Sequence, residues 1–327
     1  MTVLTLPQGF RVRPPTLEDA KDVTKLIRTC QIAERGFSTL SEEDLLSNWR
    51  LPGVDLAKDV WMIFAPNGQL AAEMMLNQIT LPKLHATPWV HPDYVQRGLD
   101  AYLLEQAEKR IQQIIPSIRE DARVTLNTYC AEKNQVFHQT IEQAGFAYVR
   151  SAWVMESEMN EPPPAPVWPE GIELRPFTMD MAHAVYAADD EAFSDHWGYM
   201  PISFEIFESL FLHRSDFDPT LWFIACDNEQ IVGEALCEYR GEQGWVNGLS
   251  TRRPWRHKGV GLALLHHAFG EFYRRGTRKV SLDVDAESLT GATRLYEKAG
   301  MHVIHQENQY QKELRPGVEL STQTLEV

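Results

Sequence analysis

The chain is predicted to have an α/β (α+β) fold built by tandem duplication, each copy a mixed, mostly antiparallel sheet flanked by helices. Three observations predict it. Short patterns recur in the same order and at a nearly constant offset: "GFRVRPPTLEDA" (Gly9–Ala20) matches "GIELRPFTMDMA" (Gly171–Ala182), "RGLDAYLLEQA" (Arg97–Ala107) matches "KGVGLALLHHA" (Lys258–Ala268), and "FHQTIEQAGF" (Phe137–Phe146) matches "GATRLYEKAGM" (Gly291–Met301). Three such matches in register are not chance. The length, 327 residues, exceeds the roughly 100–200 of one domain and suits two of about 150. Strand-like and helix-like segments also interleave, as they do in a sheet covered by helices.

The first copy is expected over residues 1–159 and the second over 171–327. Residues 160–170 between them lie in "NEPPPAPVWPEG", whose five prolines cannot continue a helix or a central strand, so a semi-rigid linker is expected. In the second copy a strand at Ile172–Arg175 leads into a helix near Met181–Ala192, and a variable segment follows through Asp216. The apolar runs "LWFIACD" and "IVGEALCEY" flank "NEQ" as a hairpin. Next come the strand "GWVNGLST", a helix from Gly259 to Arg275, the strand "KVSLDVD", a shorter helix around Thr290–Ala299 and a last strand, "HVIHQENQYQKEL".

Composition narrows the function. Apolar residues make up 43% of the chain, enough for ordinary cores, and the formal charge of −15 argues against a uniformly basic nucleic-acid surface. No apolar run approaches the about 20 residues of a membrane span, and the N-terminal stretch lacks the apolar core of a signal peptide. Four dispersed cysteines without a CxxC pair suit buried, reduced thiols. A cytoplasmic protein without nucleic-acid or membrane partners is expected, with its oligomeric state open. His266–His267 and His302/His305 have no neighbouring ligand set, so no metal is expected.

The stretch "RRPWRHKGVG" (Arg252–Gly261) between strand and helix carries the chemistry. Glycines at 259 and 261 remove side chains where backbone must approach a ligand, and the helix start offers free amides and a positive dipole end. Arg256 and Lys258 add charge, which makes a cradle for a diphosphate. The spacing is neither that of a P-loop nor the three-glycine dinucleotide fingerprint. Arg256-x-x-Gly259-x-Gly261 resembles the Arg/Gln-x-x-Gly-x-Gly/Ala motif of GNAT superfamily N-acetyltransferases, and Ala292, Leu295, Tyr296, Gly300 and Met301 resemble that family's second signature, with Met for the usual Phe. The duplicated layout is similar to tandem GNAT proteins.

The resemblance implies a GNAT fold in both copies and acetyl-CoA as cosubstrate. It implies that the backbone of His257, Lys258, Gly259, Val260 and Gly261, with Arg256, holds the diphosphate, while Leu249, Ser250 and Thr251 pair with the pantetheine arm. The Leu249 amide would stabilise the oxyanion and Tyr296 would protonate the departing thiolate. Where many members carry a glutamate base this chain has Trp245, so Glu234 or Glu238, on one face of the preceding strand, is the candidate. Ser288 stands where relatives often have a CoA-contacting asparagine. Asp195, His196 and Trp197 in "FSDHWGY", and Asn247, are candidate substrate residues. In the first copy Val95, Asp100 and Ile141 replace Arg256, Gly261 and Tyr296, so that copy is expected to bind no acetyl-CoA. The expected activity is acetyl transfer from acetyl-CoA to a primary amine of a small molecule or peptide by direct attack. The alternative is a non-catalytic acyl-CoA-binding or regulatory protein.

Overall fold

The computed structural model describes residues 4–324. In chain order the elements are β1 (Arg11–Arg13), α1 (Ala20–Arg35), α2 (Glu42–Trp49), α3 (Leu56–Asp59), β2 (Val60–Phe64), β3 (Leu70–Met75), β4 (Lys83–His85), β5 (Trp89–Val90), α4 (Leu99–Ile114), β6 (Val124–Ala131), α5 (Gln135–Gln143) and β7 (Ala147–Glu158). There follow β8 (Ile172–Pro176), α6 (Ala182–Phe193), α7 (Phe204–Phe207), β9 (Trp222–Asp227), β10 (Gln230–Arg240), β11 (Gln243–Thr251), α8 (Val260–Arg274), β12 (Lys279–Asp285), α9 (Ala292–Lys298) and β13 (His302–Arg315). They form two compact units. One runs to Ser151 and adds Glu307–Leu320; the other takes Ala152–Gln306 and the chain from Ser321.

Strand pairing explains that division. From Ala152 onward β7 pairs antiparallel with β12 along its length, so this stretch belongs to the second unit. From Glu307 onward β13 pairs antiparallel with β6 and belongs to the first. The proline-rich segment lies in the second unit, where Trp168 packs beside His267 (ring centroids 6.4 Å apart).

In the first unit β1, β2, β3 and β5 form one antiparallel sheet, and β6 lies between β4, to which it is parallel, and the end of β13. Val23 and Ile27 of α1, with Trp49 of α2, bury against Met62. The α4 residues Leu103, Ala107 and Ile111 fill a separate core, an i, i+4 stripe that only a helix presents on one side.

In the second unit the strand order is β7-β12-β11-β10-β9-β8. Only β11 and β12 are parallel neighbours, which is the mixed, mostly antiparallel sheet the sequence predicts. Leu264, Leu265, Ala268, Phe269 and Phe272 of α8 pack on one face. Gly244 lets α8 approach, since a Cβ there would sit 2.8 Å from the Phe272 ring. Val185 of α6 and Phe207 of α7 cover the other face around Trp222 and Leu236. No helix of the described residues is long and apolar enough to cross a membrane.

Candidate active site

The site begins with one extra residue in a strand. Leu236 pairs with Gly248 but Cys237 pairs with Val246, so Asn247 is a β-bulge in β11. On the other side β11 pairs with β12 only at Gly244↔Val280 and Trp245↔Ser281. Beyond those pairs the strands part, and a cavity of about 160 Å³ opens, lined by Phe193, Trp197, Asn247, Asp283 and Asp285 among others. A groove of about 420 Å³ adjoins it, running past Thr251, His257, Gly259, Gly261, Arg294 and Lys298. The two share four residues: His196, Leu249, Ala292 and Tyr296.

The groove is built by the loop before α8. His257 takes a left-handed φ of 61° and Gly259 one of 97°, and Gly259 caps the helix. A Cβ on Gly259 would meet nothing within 4 Å, so the groove surface there is bare backbone. At Gly261 a Cβ would come 3.2 Å from Leu295 and 3.5 Å from the Thr251 hydroxyl. A 15-residue helix starting at such a surface presents amides and positive dipole to an anion. These residues therefore fit the diphosphate of a coenzyme A thioester.

Arg256 is held within the unit. Its Nε donates to the Thr251 carbonyl (3.0 Å), and its two terminal nitrogens donate to Asp195 (2.5 Å) and the Ala192 carbonyl (3.1 Å). Arg253 makes a two-pronged contact with the same carboxylate at 2.9 and 2.6 Å. Asp195, expected among the substrate residues, is instead 3% exposed and ties the loop to the end of α6. The Arg253 guanidinium first, and Arg256 with it, pull its carboxyl down to about 2. Lys258 and His257 are exposed, Val260 is buried and Arg252 turns to Glu191 (2.7 Å).

Tyr296 stands at the junction of groove and cavity. Burial pushes its phenol up to about 12. The Leu249 backbone lies just past the bulge, at the same junction. His196 is also there, and burial lowers its imidazole below the ordinary 6.5.

The two candidate base glutamates share the face covered by α6 and α7, and neither lines the groove or the cavity. Glu234 is fully buried; the Ser250 hydroxyl donates to one of its oxygens and the other has no partner. Burial and nearby Asp189 raise it to about 8. Glu238 accepts from Arg240 (2.7 Å), which also donates to Asn247 (3.1 Å) and lies over the Trp245 ring at 4.2 Å. Ser288 lines the cavity, and its hydroxyl accepts from the Ala292 amide (3.3 Å), capping α9. Arg294 and Lys298 on the groove wall were not expected from the sequence. Their i, i+4 spacing on the helix that carries Tyr296 was the available signal.

The first unit repeats the loop with different side chains. Gln96 and Gly98 repeat the left-handed pair with φ of 61° and 72°. Asp100, however, accepts from the Thr140 hydroxyl (2.9 Å) and the Ala101 amide (2.9 Å), and Ile141 is buried in the core. Asp100, Glu105 and Glu108 line a cavity of about 620 Å³ there together with Lys312, which pairs with Glu108 at 2.6 Å. Among the described residues no group of three or more His, Cys, Asp or Glu side chains is placed to hold a metal.

The model of the acetyltransferase (GNAT) family matches residues 182–301. The crystal structure of a GCN5-related N-acetyltransferase from Sphaerobacter thermophilus is 39% identical, superposes with a TM-score of 0.82, and covers 97% of this chain and 100% of that one. The chain belongs to the GNAT family of acetyltransferases, with two such units in tandem. A curated relative, mycothiol acetyltransferase of Thermobispora bispora, is 30% identical over 173 residues; the match spans 48% of this chain and 55% of that protein. The tandem GNAT protein from the clavulanic acid biosynthesis pathway shares the fold at 13% identity, with a TM-score of 0.69 over 94% of this chain and 100% of that one.

Proposed function

We propose that the second unit transfers an acetyl group from acetyl-CoA to a primary amine of a small molecule or peptide by direct attack. The amides of His257–Gly261 receive the diphosphate, with Arg294 and Lys298 adding positive charge along the groove. Arg256 acts chiefly through Asp195 and Thr251, holding the loop in its binding shape. Leu249, Ser250 and Thr251 offer backbone to the pantetheine arm, and the Leu249 amide faces the thioester oxygen. Tyr296, protonated throughout the physiological range, gives its proton to the departing sulfur. The second cavity receives the amine, and holding both reactants at one junction supplies much of the rate.

The observation that carries this reading is the convergence of groove and cavity on Tyr296 and Leu249. Isothermal titration with acetyl-CoA, followed by a thiol-release assay over a panel of primary amines, tests it. Binding with amine-dependent CoA release is expected, and no binding at millimolar ligand refutes it. The rival, a non-catalytic acyl-CoA-binding protein, draws on Trp245 at the customary base position and predicts binding without release. The first unit is proposed to be structural. Four buried free thiols suit a reducing compartment, and we place the protein in the cytoplasm.

A further inference from the structure

We propose that His196 is the group that takes the proton an acceptor ammonium must lose before it can attack. The inference rests on the transferase reading and supplies the base which that reading lacks. Four residues wall both the groove and the cavity, and only His196 and Tyr296 among them titrate. The Tyr296 phenol holds its proton and cannot accept another at neutral pH. Glu234 is sealed behind Ser250, and Glu238 is clamped by Arg240. Asp283 and Asp285 line the cavity but not the groove, whereas the imidazole stands where the two meet, the point at which amine and thioester must come together.

The surroundings keep it neutral and therefore able to accept. Burial is the largest influence on His196, and Arg256 beside it acts in the same direction. Asp285, at the end of β12, and Asp195 oppose them, but Asp195 is already engaged by Arg253 and Arg256. Tyr296 of α9, which lines the same groove and cavity, carries no charge, and the Phe193 ring of α6 meets the imidazole edge-on at 4.5 Å. Asp285 also lines the cavity, so an entering ammonium lies beside a carboxylate as well as the imidazole.

The protons then balance. The ammonium gives one proton to His196, and the freed nitrogen lone pair forms the C–N bond while the carbonyl π electrons move to oxygen at the Leu249 amide. Collapse breaks the C–S bond. Tyr296 protonates the leaving sulfur and recovers a proton from the acetylated nitrogen, and the imidazolium returns its proton to solvent. The products are the amide, CoA thiol and one released proton.

The test uses the full chain with acetyl-CoA and three probe amines: tyramine, putrescine and benzylamine. For whichever is turned over, His196→Gln should lower kcat by about 10²–10⁴-fold while acetyl-CoA affinity stays within about twofold. The wild-type kcat/KM should fall on the acid side below pH 6.5, the ordinary imidazole value, and the variant should lose that limb. Added imidazole should partly restore His196→Ala, which a purely structural role would not allow. Should the His196 variants not fold, Asp285→Asn should move the wild-type limb to lower pH, because it removes a charge that favours the imidazolium. A His196→Gln enzyme with nearly wild-type kcat, an unchanged acid limb, or a limb unmoved by Asp285→Asn overturns the inference alone. Acetyl-CoA binding without turnover of any probe by the wild type overturns it together with the transferase reading; absence of acetyl-CoA binding points to failure of that reading at its first step.

Discussion

Gly259→Ala separates the binding role of the cradle from its structural role. Gly259 has φ 97° and caps α8, while Gly276, after the other end of the same helix, has φ 93°. A Cβ at either position meets nothing within 4 Å, so neither alanine clashes with the protein. Each should cost only the left-handed backbone penalty, about 1–2 kcal/mol. The difference is location, since Gly259 lines the groove and Gly276 does not. A methyl group on Gly259 projects where a phosphate must touch backbone, so acetyl-CoA affinity should fall at least about tenfold, or about 1.4 kcal/mol. Gly276→Ala should bind as wild type. Urea unfolding gives the stability change and isothermal titration the affinity. Equal affinities for the two variants, or a binding loss in both, would refute the assignment of Gly259 to the diphosphate seat.

Tyr296→Phe should lower turnover by about 10²–10⁴-fold with acetyl-CoA affinity unchanged. With its phenol up at about 12, Tyr296 should produce no alkaline fall in the pH–rate profile below about pH 10. Asp195 is held at about 2 against an ordinary 3.8, so its contribution is present above pH 3.8 and lost as pH falls through about 2. Asp195→Asn should therefore destabilise the protein by about 2 kcal/mol, taking 1.36 per pKa unit, with a deficit that urea unfolding finds flat between about pH 5 and 8. Glu234 has the opposite sign: raised from 4.5 to about 8, it costs stability as pH rises through that interval. Glu234→Gln should remove that loss, gaining on the wild type at the alkaline end and not at pH 4.5, as paired unfolding curves would register.

The second unit was legible in the sequence because its signals are local. The hairpin around Asn228–Gln230, the strand ending at Thr251 and the helix beginning after Gly259 follow from turn residues and periodicity over a few positions. The candidate site was legible to the extent that the glycine pair and the helix tyrosine singled out in the sequence line one groove. The parts that stayed hidden depend on non-local placement. Asp195 and Arg256 lie 61 residues apart, and neither residue type announces the other. The bulge at Asn247 inserts one residue without disturbing the apolar pattern, yet it coincides with the parting of β11 and β12. Period-two spacing correctly placed Glu234 and Glu238 on one face, but could not show that α6 and α7 cover it.

Comparing the two units divides residues that serve the fold from residues that serve chemistry. Gln96 and Gly98 keep the left-handed geometry of His257 and Gly259, while Asp100, at the position of Gly261, accepts from the Thr140 hydroxyl. The same test applies to Glu234. In the hairpins "QLAAE" and "QIVGE" its counterpart is Glu73, which is likewise buried, likewise raised to about 8 and likewise has one oxygen without a partner. A carboxyl kept by a unit that lacks both the glycine and the tyrosine belongs to the fold's set, which is an independent reason to seek the base elsewhere. The Asp195–Arg256 pair behaves in the opposite way. Val95 stands where the repeat has Arg256, so the first unit lacks the arginine side of that pair. In the second unit, losing Asp195 alone would leave Arg256 without its carboxylate, at about 2 kcal/mol. The brace belongs to the unit that carries the proposed diphosphate seat, and His196 stands next in the chain to its buried anion.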